Sequence, residues 1–225
     1  MDQGPKSYWA EFLGTFTLCF IGQGAICAQF LMQNGPGSLL PIAIAYGLAL
    51  AVMISALGAA SGGHFNPAVT LGFVVTGRQS LTSAITYWLS QILGAVVASF
   101  LLRSIVPADV VAGTHLGAPG VAPEISLSSA FLLEFVLTFL VVTVYWGTAV
   151  DEAAPRLGGI AVGLAAAMGV LMGGRLTGAA MNPARAFGPA LATATWGGQW
   201  VYWAGPLAGG AVAALVHKNL VLRRH

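Results

Sequence analysis

Ser61-Gly62-Gly63-His64-Phe65-Asn66-Pro67-Ala68-Val69-Thr70 has a counterpart in Gly178-Ala179-Ala180-Met181-Asn182-Pro183-Ala184-Arg185-Ala186-Phe187-Gly188-Pro189, and Asn182 follows Asn66 by 116 positions. An Asn before a Pro reads as a helix start, because Asn is a favoured N-cap and Pro fits the first turn without losing a bond. One such motif in a water-soluble chain is ordinarily a cap and nothing more. Two copies at a repeat offset, each opening a short apolar helix, are far more specific. The helical parts, Asn66–Thr76 and Asn182–Ala192, each hold about eleven residues, or ~16 Å at 1.5 Å per residue, half of a ~30 Å hydrocarbon layer. The surrounding stretches, 61–77 and 177–194, are too apolar for exposed loops and too short to span. They are expected to be re-entrant half-helices.

The flanking sequence supplies a membrane around them. Apolar segments run at 8–31, 39–60, 83–105, 126–148, 157–175 and 199–220. They are separated by turn chemistry at Asn34-Gly35-Pro36-Gly37, Gly77-Arg78-Gln79-Ser80, the Pro/Gly-rich stretch 107–123, and Asp151-Glu152 through Pro155. Only 7% of residues are charged, 57% are hydrophobic and the mean hydropathy is +0.82. A soluble domain carries about 25% charged residues, so water is the wrong solvent for this surface. Thirty glycines fit close approach of membrane helices. The net charge of +2 is too small and too dispersed for a nucleic-acid partner. Cys19 and Cys27 fall inside the first apolar segment, as small hydrophobes rather than a disulfide framework. That segment is too long for a signal h-region and contains Glu11, so it is read as a retained span.

The chain is an internal repeat, about 1–105 and 126–225, within one domain spanning 1–225. The offset of 116 maps Gly47-Leu48 onto Gly163-Leu164 and Gly62 onto Gly178, while 115 maps Tyr87-Trp88 onto Tyr202-Trp203 and Gly94 onto Gly209. Glu11-x-x-x-Thr15-Phe16 recurs as Glu134-x-x-x-Thr138-Phe139. With three spans in each half, the second half enters the membrane with opposite polarity. Such inverted repeats place a shared site near the midplane, at broken helices. The expected fold is therefore an all-α membrane protein of six transmembrane helices and two half-helices in an inverted 3+3 repeat. Lys6, Arg78, Arg156, Lys218, Arg223 and Arg224 fall on one side, and Arg103, Arg175 and Arg185 on the other. The positive-inside rule then places both termini in the cytoplasm.

At the midplane the chemistry favours Asn over Asp. The amide oxygen can cap its helix while the NH₂ group turns its donors to the lumen. Two half-helix N-termini add about +0.5 of an elementary charge each at the same depth, which opposes protons and other cations. Irregular backbone over Gly62–Phe65 and Gly178–Met181 is tolerable only along a water-filled cavity, where its carbonyls can receive hydrogen bonds from a permeating molecule. An acid within a membrane span is a functional candidate by default, so Glu11 and Glu134 allow a proton-coupled reading. Their repeat-related positions favour bracing of the two re-entrant loops. His64 is read as a loop brace rather than a gate, and Trp9, Trp196 and Trp200 as interfacial anchors.

The two motif stretches, the Glu-x-x-x-Thr-Phe repeats and Trp200-x-x-Trp203 resemble the aquaporin (major intrinsic protein) family over nearly the whole chain, with the second half similar to plant tonoplast-type and short prokaryotic members. That resemblance implies a homotetramer with one pore per subunit, and a constriction outward of the Asn pair. Arg185 matches the family's constriction arginine, with Tyr46, Val170 and Ala179 at its three partner positions. Val170 stands where strict water channels often have His, which implies a wider, less polar opening. Ala186 and Ala190 depart from the pattern of glycerol channels. In tonoplast-type relatives a His of the third loop reaches the arginine, and His115 is the candidate here.

The function expected is a passive water channel with a moderately wide filter that excludes protons and ions, not an enzyme, and without cofactor or metal. A channel mainly for glycerol, urea, ammonia or hydrogen peroxide is the alternative within this fold, and a proton-coupled transporter using Glu11 or Glu134 the alternative outside it. Short termini and the absence of Asn-x-Ser/Thr sites point to a prokaryotic cytoplasmic membrane.

Overall fold

The computed structural model describes residues 4–33, 37–151, 153, 154, 157 and 159–221. The expected turn at Asn34–Pro36, residues Glu152, Pro155 and Arg156, and the terminal Arg223 and Arg224 lie outside the described residues. Among the described residues all regular structure is helical. The long helices are α1 (Pro5–Gln33), α2 (Leu39–Ser61), α4 (Leu81–Ile105) and α6 (Leu127–Tyr145), the last extended by a π-turn over Trp146–Val150. Each is long and apolar enough to cross a bilayer. The remaining spans are α7 (Ile160–Gly173) and α9 (Val201–Val216), which continues as a π-turn over His217–Val221. Helix α7 has 14 residues and starts later than the apolar segment suggests, giving ~21 Å of helix.

The half-helices are α3 (Pro67–Val75) and α8 (Pro183–Thr193), of 9 and 11 residues. The stretch 107–123 is not wholly irregular. It contains α5 (Ala108–Thr114) and a 3₁₀ turn at His115–Gly117.

Packing follows the repeat. Helix α1 lies on α4 as α6 lies on α9, α1 neighbours α2 as α6 neighbours α7, and α2 and α7 cross between the halves. Each half-helix packs mainly against the last span of the other repeat, α3 on α9 and α8 on α4. The α2–α7 crossing requires glycine on both sides. A Cβ on Gly47 would lie 2.7 Å from the Gly163 carbonyl oxygen, and one on Gly163 would overlap the Gly47 carbonyl oxygen.

Burial is inverted relative to a soluble protein. Leu48, Leu89, Leu132, Leu164 and Met168 are exposed, while Glu11, Gln91, Glu134 and Arg185 are buried. Such an exterior suits a hydrocarbon solvent, and the chain is a multi-pass membrane protein. Trp9, Trp196 and Trp200 are exposed near helix ends, as expected of anchors at a membrane–water boundary.

Candidate functional site

The loops that lead into α3 and α8 take the same unusual path. Gly62 and Gly178 have φ of 90° and 81°, Gly63 and Ala179 of 71° and 44°, and Phe65 and Met181 of 47° and 52°. A bulky residue at positive φ is strained and persists only where its surroundings over-determine it. Both peptide groups are so held. The N–H of Phe65 donates to Glu11 Oε2 at 2.7 Å while its carbonyl accepts from Asn182 Nδ2 at 2.8 Å. Likewise the N–H of Met181 donates to Glu134 Oε2 at 2.7 Å, and its carbonyl accepts from Asn66 Nδ2 at 2.8 Å.

The two acids complete this brace. Glu11 Oε1 accepts from the Ser61 hydroxyl at 2.7 Å and the His64 N–H at 2.9 Å, and Gln91 Nε2 donates to Oε2 at 2.7 Å. Glu134 Oε1 accepts from the Thr177 hydroxyl at 2.7 Å and the Ala180 N–H at 2.9 Å. Buried carboxylates need such partners, and here the backbone partners are loop N–H groups that no helix satisfies. Gln91 was not singled out from the sequence, although a polar amide inside an apolar span is a usable signal. It also donates to Thr70 Oγ1 at 3.0 Å.

Asn66 and Asn182 cap their helices as the motif predicts. Asn66 Oδ1 accepts from the Ala68 N–H at 2.9 Å, and Asn182 Oδ1 from the Ala184 and Arg185 N–H groups at 3.0 and 3.2 Å. The expectation that each NH₂ turns both donors to the lumen is corrected. One N–H of each crosses to the carbonyl before the other Asn, and one remains for the cavity that both side chains line. The carbonyls of Phe65 and Met181 are thereby used, as are those of Gly62, which accepts from the Tyr145 hydroxyl, and Gly178, which accepts from Arg185 Nη2 at 3.1 Å. Among the described residues no donor meets the carbonyls of Gly63, His64, Ala179 and Ala180, so these four form the open set of acceptors.

A narrow cavity threads the centre, lined at one end by Ile54, His64 and Tyr145 and at the other by Tyr46, Val170, Ala179 and Arg185. It leaves about 40 Å³ for the centres of water-sized molecules, against about 280 and 480 Å³ in the mouths it joins. A single water needs roughly 10–15 Å³ on this measure, so the neck has room for only a few waters. The Arg185 guanidinium carbon sits 4.5 Å from the Tyr46 ring centroid, a cation–π distance. Gly22 packs so closely under Tyr46 that any Cβ there would enter the ring. Arg185 Nη1 and the Tyr46 hydroxyl have no partner among the described residues.

His64 Nδ1 lies 3.0 Å from Thr70 Oγ1, and its ring stacks on Phe73 at 4.2 Å, which fits a brace. His115 does not join Tyr46, Val170, Ala179 and Arg185. Its backbone adopts φ 46°, the side chain is exposed, and Nδ1 faces Thr195 Oγ1 at 3.4 Å. It lines neither the cavity beside Arg185 nor the wider mouth that Arg185 also borders. Gly117, Ala118 and Pro119 reach that mouth instead.

The family model described as Major intrinsic protein matches residues 3–217. The chain is 41% identical over 225 residues to the probable aquaporin TIP3-2 of Arabidopsis thaliana, covering 95% of this chain and 82% of that protein. It is 42% identical over 219 residues to aquaporin TIP1-2 of Zea mays, covering 94% and 84%. The fold is similar to the X-ray structure of the aquaglyceroporin from Plasmodium falciparum, with a TM-score of 0.85, 27% identity and 96% of each chain covered.

Proposed function

The chain belongs to the major intrinsic protein family, and from that premise we propose that it is a passive channel for water that excludes protons and ions. The observation that carries this reading is the pair of crossed amides. Asn66 and Asn182 each keep one N–H for the lumen at the same depth, where two half-helix N-termini meet. A water passing there turns its oxygen to both donors and its hydrogens away, which interrupts proton transfer along the file. The positive helix ends add an electrostatic barrier to cations.

Tyr46, Val170, Ala179 and Arg185 form the selectivity filter in this reading. The stack of Arg185 on Tyr46 and its bond to Gly178 fix the charge at one wall, while Val170 and Ala179 leave the other apolar. A filter of that kind passes water first and admits some small neutral solutes. Glu11, Glu134 and His64 act as braces for the re-entrant loops. The single domain over 1–225 works as a homotetramer with one pore per subunit. It sits in the cell membrane with both termini cytoplasmic, so that the Arg185 mouth opens outward.

Stopped-flow light scattering on proteoliposomes tests the function. The expected result is fast osmotic water flow with a low activation energy and no proton current. Water flow no faster than in empty vesicles, or a proton conductance that matches it, overturns the reading.

A further inference from the structure

Two of the cations outside the site described above, Arg103 and Lys218, are related by the repeat. Arg103 closes the last turn of α4, and Lys218 sits 115 positions later just beyond α9. Lys218 Nζ donates to the Thr76 carbonyl at 2.9 Å, and Arg103 Nη1 donates to the Ala192 carbonyl. Thr76 and Ala192 are themselves repeat mates, 116 positions apart, at the C-terminal ends of α3 and α8. Among the described residues neither cation has an ion-pair partner.

We propose that Lys218 and Arg103 are a repeat-related pair of positioning residues, each clamping the C-terminal end of the other repeat's half-helix. Two facts make the clamp physical. A helix leaves its last four carbonyls without intrahelical partners, and its C-terminus carries about −0.5 of an elementary charge. A cation bonded to one of those carbonyls satisfies the acceptor and offsets the charge at once. Neighbouring turns take up other carbonyls: the Gly77 N–H donates to Val74, and those of Arg78 and Gln79 to Phe73. At the end of α8 the Thr195 N–H donates to Ala190. The carbonyls of Thr76 and Ala192 are left to the side chains.

The clamps matter for the channel because each half-helix carries the capping Asn at its other end. The capping Asn must sit at a fixed depth to meet the opposite carbonyl. Fixing the far end of α3 from α9, and of α8 from α4, sets where each Asn stands along the pore. This functional consequence rests on the channel reading, while the clamp itself does not.

The test uses the full-length protein with Lys218→Met and Arg103→Met, which keep an unbranched side chain and remove charge and donors, beside Lys218→Arg and Arg103→Lys. Hydrogen exchange is followed peptide by peptide, and water permeability is measured on the same preparations. Lys218→Met should speed exchange in the last turn of α3 about two- to five-fold, the range a cation at a helix C-terminus provides, and leave α8 unchanged. Arg103→Met should do the reverse. Each charge-conserving variant should restore wild-type exchange, and water permeability should fall on the order of two-fold only in the Met variants. Wild-type exchange in the Met variants, equal loosening of both half-helices, or failure of the conservative variants to rescue each overturns the proposal. Wild-type protein that passes no water defeats the channel reading instead, and the exchange pattern still decides the clamps.

Discussion

Replacing Glu134 separates bracing from proton coupling, and its cost can be worked from the bonds it holds. The carboxylate accepts from the Thr177 hydroxyl and from the backbone N–H groups of Ala180 and Met181. Truncation in Glu134→Ala leaves two backbone donors and a hydroxyl in a buried loop without acceptors. At about 1–3 kcal/mol for each unsatisfied group, the loss is roughly 3–9 kcal/mol, comparable to the whole stability of many domains. Glu134→Gln is milder. Its single oxygen at the Oε1 position keeps Thr177 and Ala180, and only the Met181 N–H faces the new amide, at a cost of about 1–3 kcal/mol. Met181 is also the residue at φ 52° whose carbonyl receives Asn66, so damage there passes straight to the crossed amides. Apparent melting in detergent and stopped-flow water permeability measure both effects. The expected order is wild type, then Gln with a lowered melting point and retained water flow, then Ala with little folded protein. Wild-type melting and permeability in Glu134→Ala would refute the bracing argument. Saturable, pH-driven uptake abolished by Glu134→Gln without a change in melting would assign the acid to proton coupling.

Other perturbations follow from the same geometry. Asn182→Asp keeps the helix cap but sets a carboxylate against the Phe65 carbonyl, and its full negative charge cancels about two half-charges from the helix ends. Cation current in planar bilayers should appear, and unchanged conductance and water flow would remove the donor pair from the mechanism. Arg185→Ala removes the stack on Tyr46 and the bond to Gly178. Urea or glycerol uptake should rise roughly tenfold, the effect of about 1.4 kcal/mol off a barrier, and unaltered uptake excludes Arg185 from the constriction. Gly163→Val drives a side chain into the Gly47 carbonyl and Ala51 and should cost about 1–3 kcal/mol or more, read as lost folded yield. Gly24→Val meets open space and should be neutral. His115→Ala should leave water permeability unchanged, since His115 faces Thr195.

Most of the architecture was legible because it rests on two features that sequence carries well. Hydropathy located the spans, and the offset of 116 located the half-helices together with their N-caps. Glu11 and Glu134 were legible for the same reason, as acids recurring inside apolar helices. What escaped depended on where donors end up in space. Nothing local in Asn66 says that one of its amide hydrogens belongs to Met181, 115 positions away. His115 illustrates the opposite error. Family analogy put a His of that loop at the arginine, but His115 and Leu116 both adopt left-handed backbone, which turns the His115 side chain outward and buries Leu116.

The repeat is kept where two groups must meet at one depth and abandoned where they must not. Backbone path, acid brace and Asn cap are duplicated. The proposed filter is not: at the offset of 116, Tyr46 corresponds to Val162, Val170 to Ile54, Ala179 to Gly63 and Arg185 to Val69. Val162, Ile54 and Val69 all line the same cavity. A symmetric chain would carry an arginine and a tyrosine at both ends of the file. Barriers in series are set by the highest, so a second charged neck would exclude no ion that the first admits. It would only slow water by adding another site with strong hydrogen bonds to leave. In the channel proposed above, one guanidinium at the Arg185 neck and two amide donors at the middle, with no second arginine lining the other half, give the exclusion of two charged necks at the resistance of one.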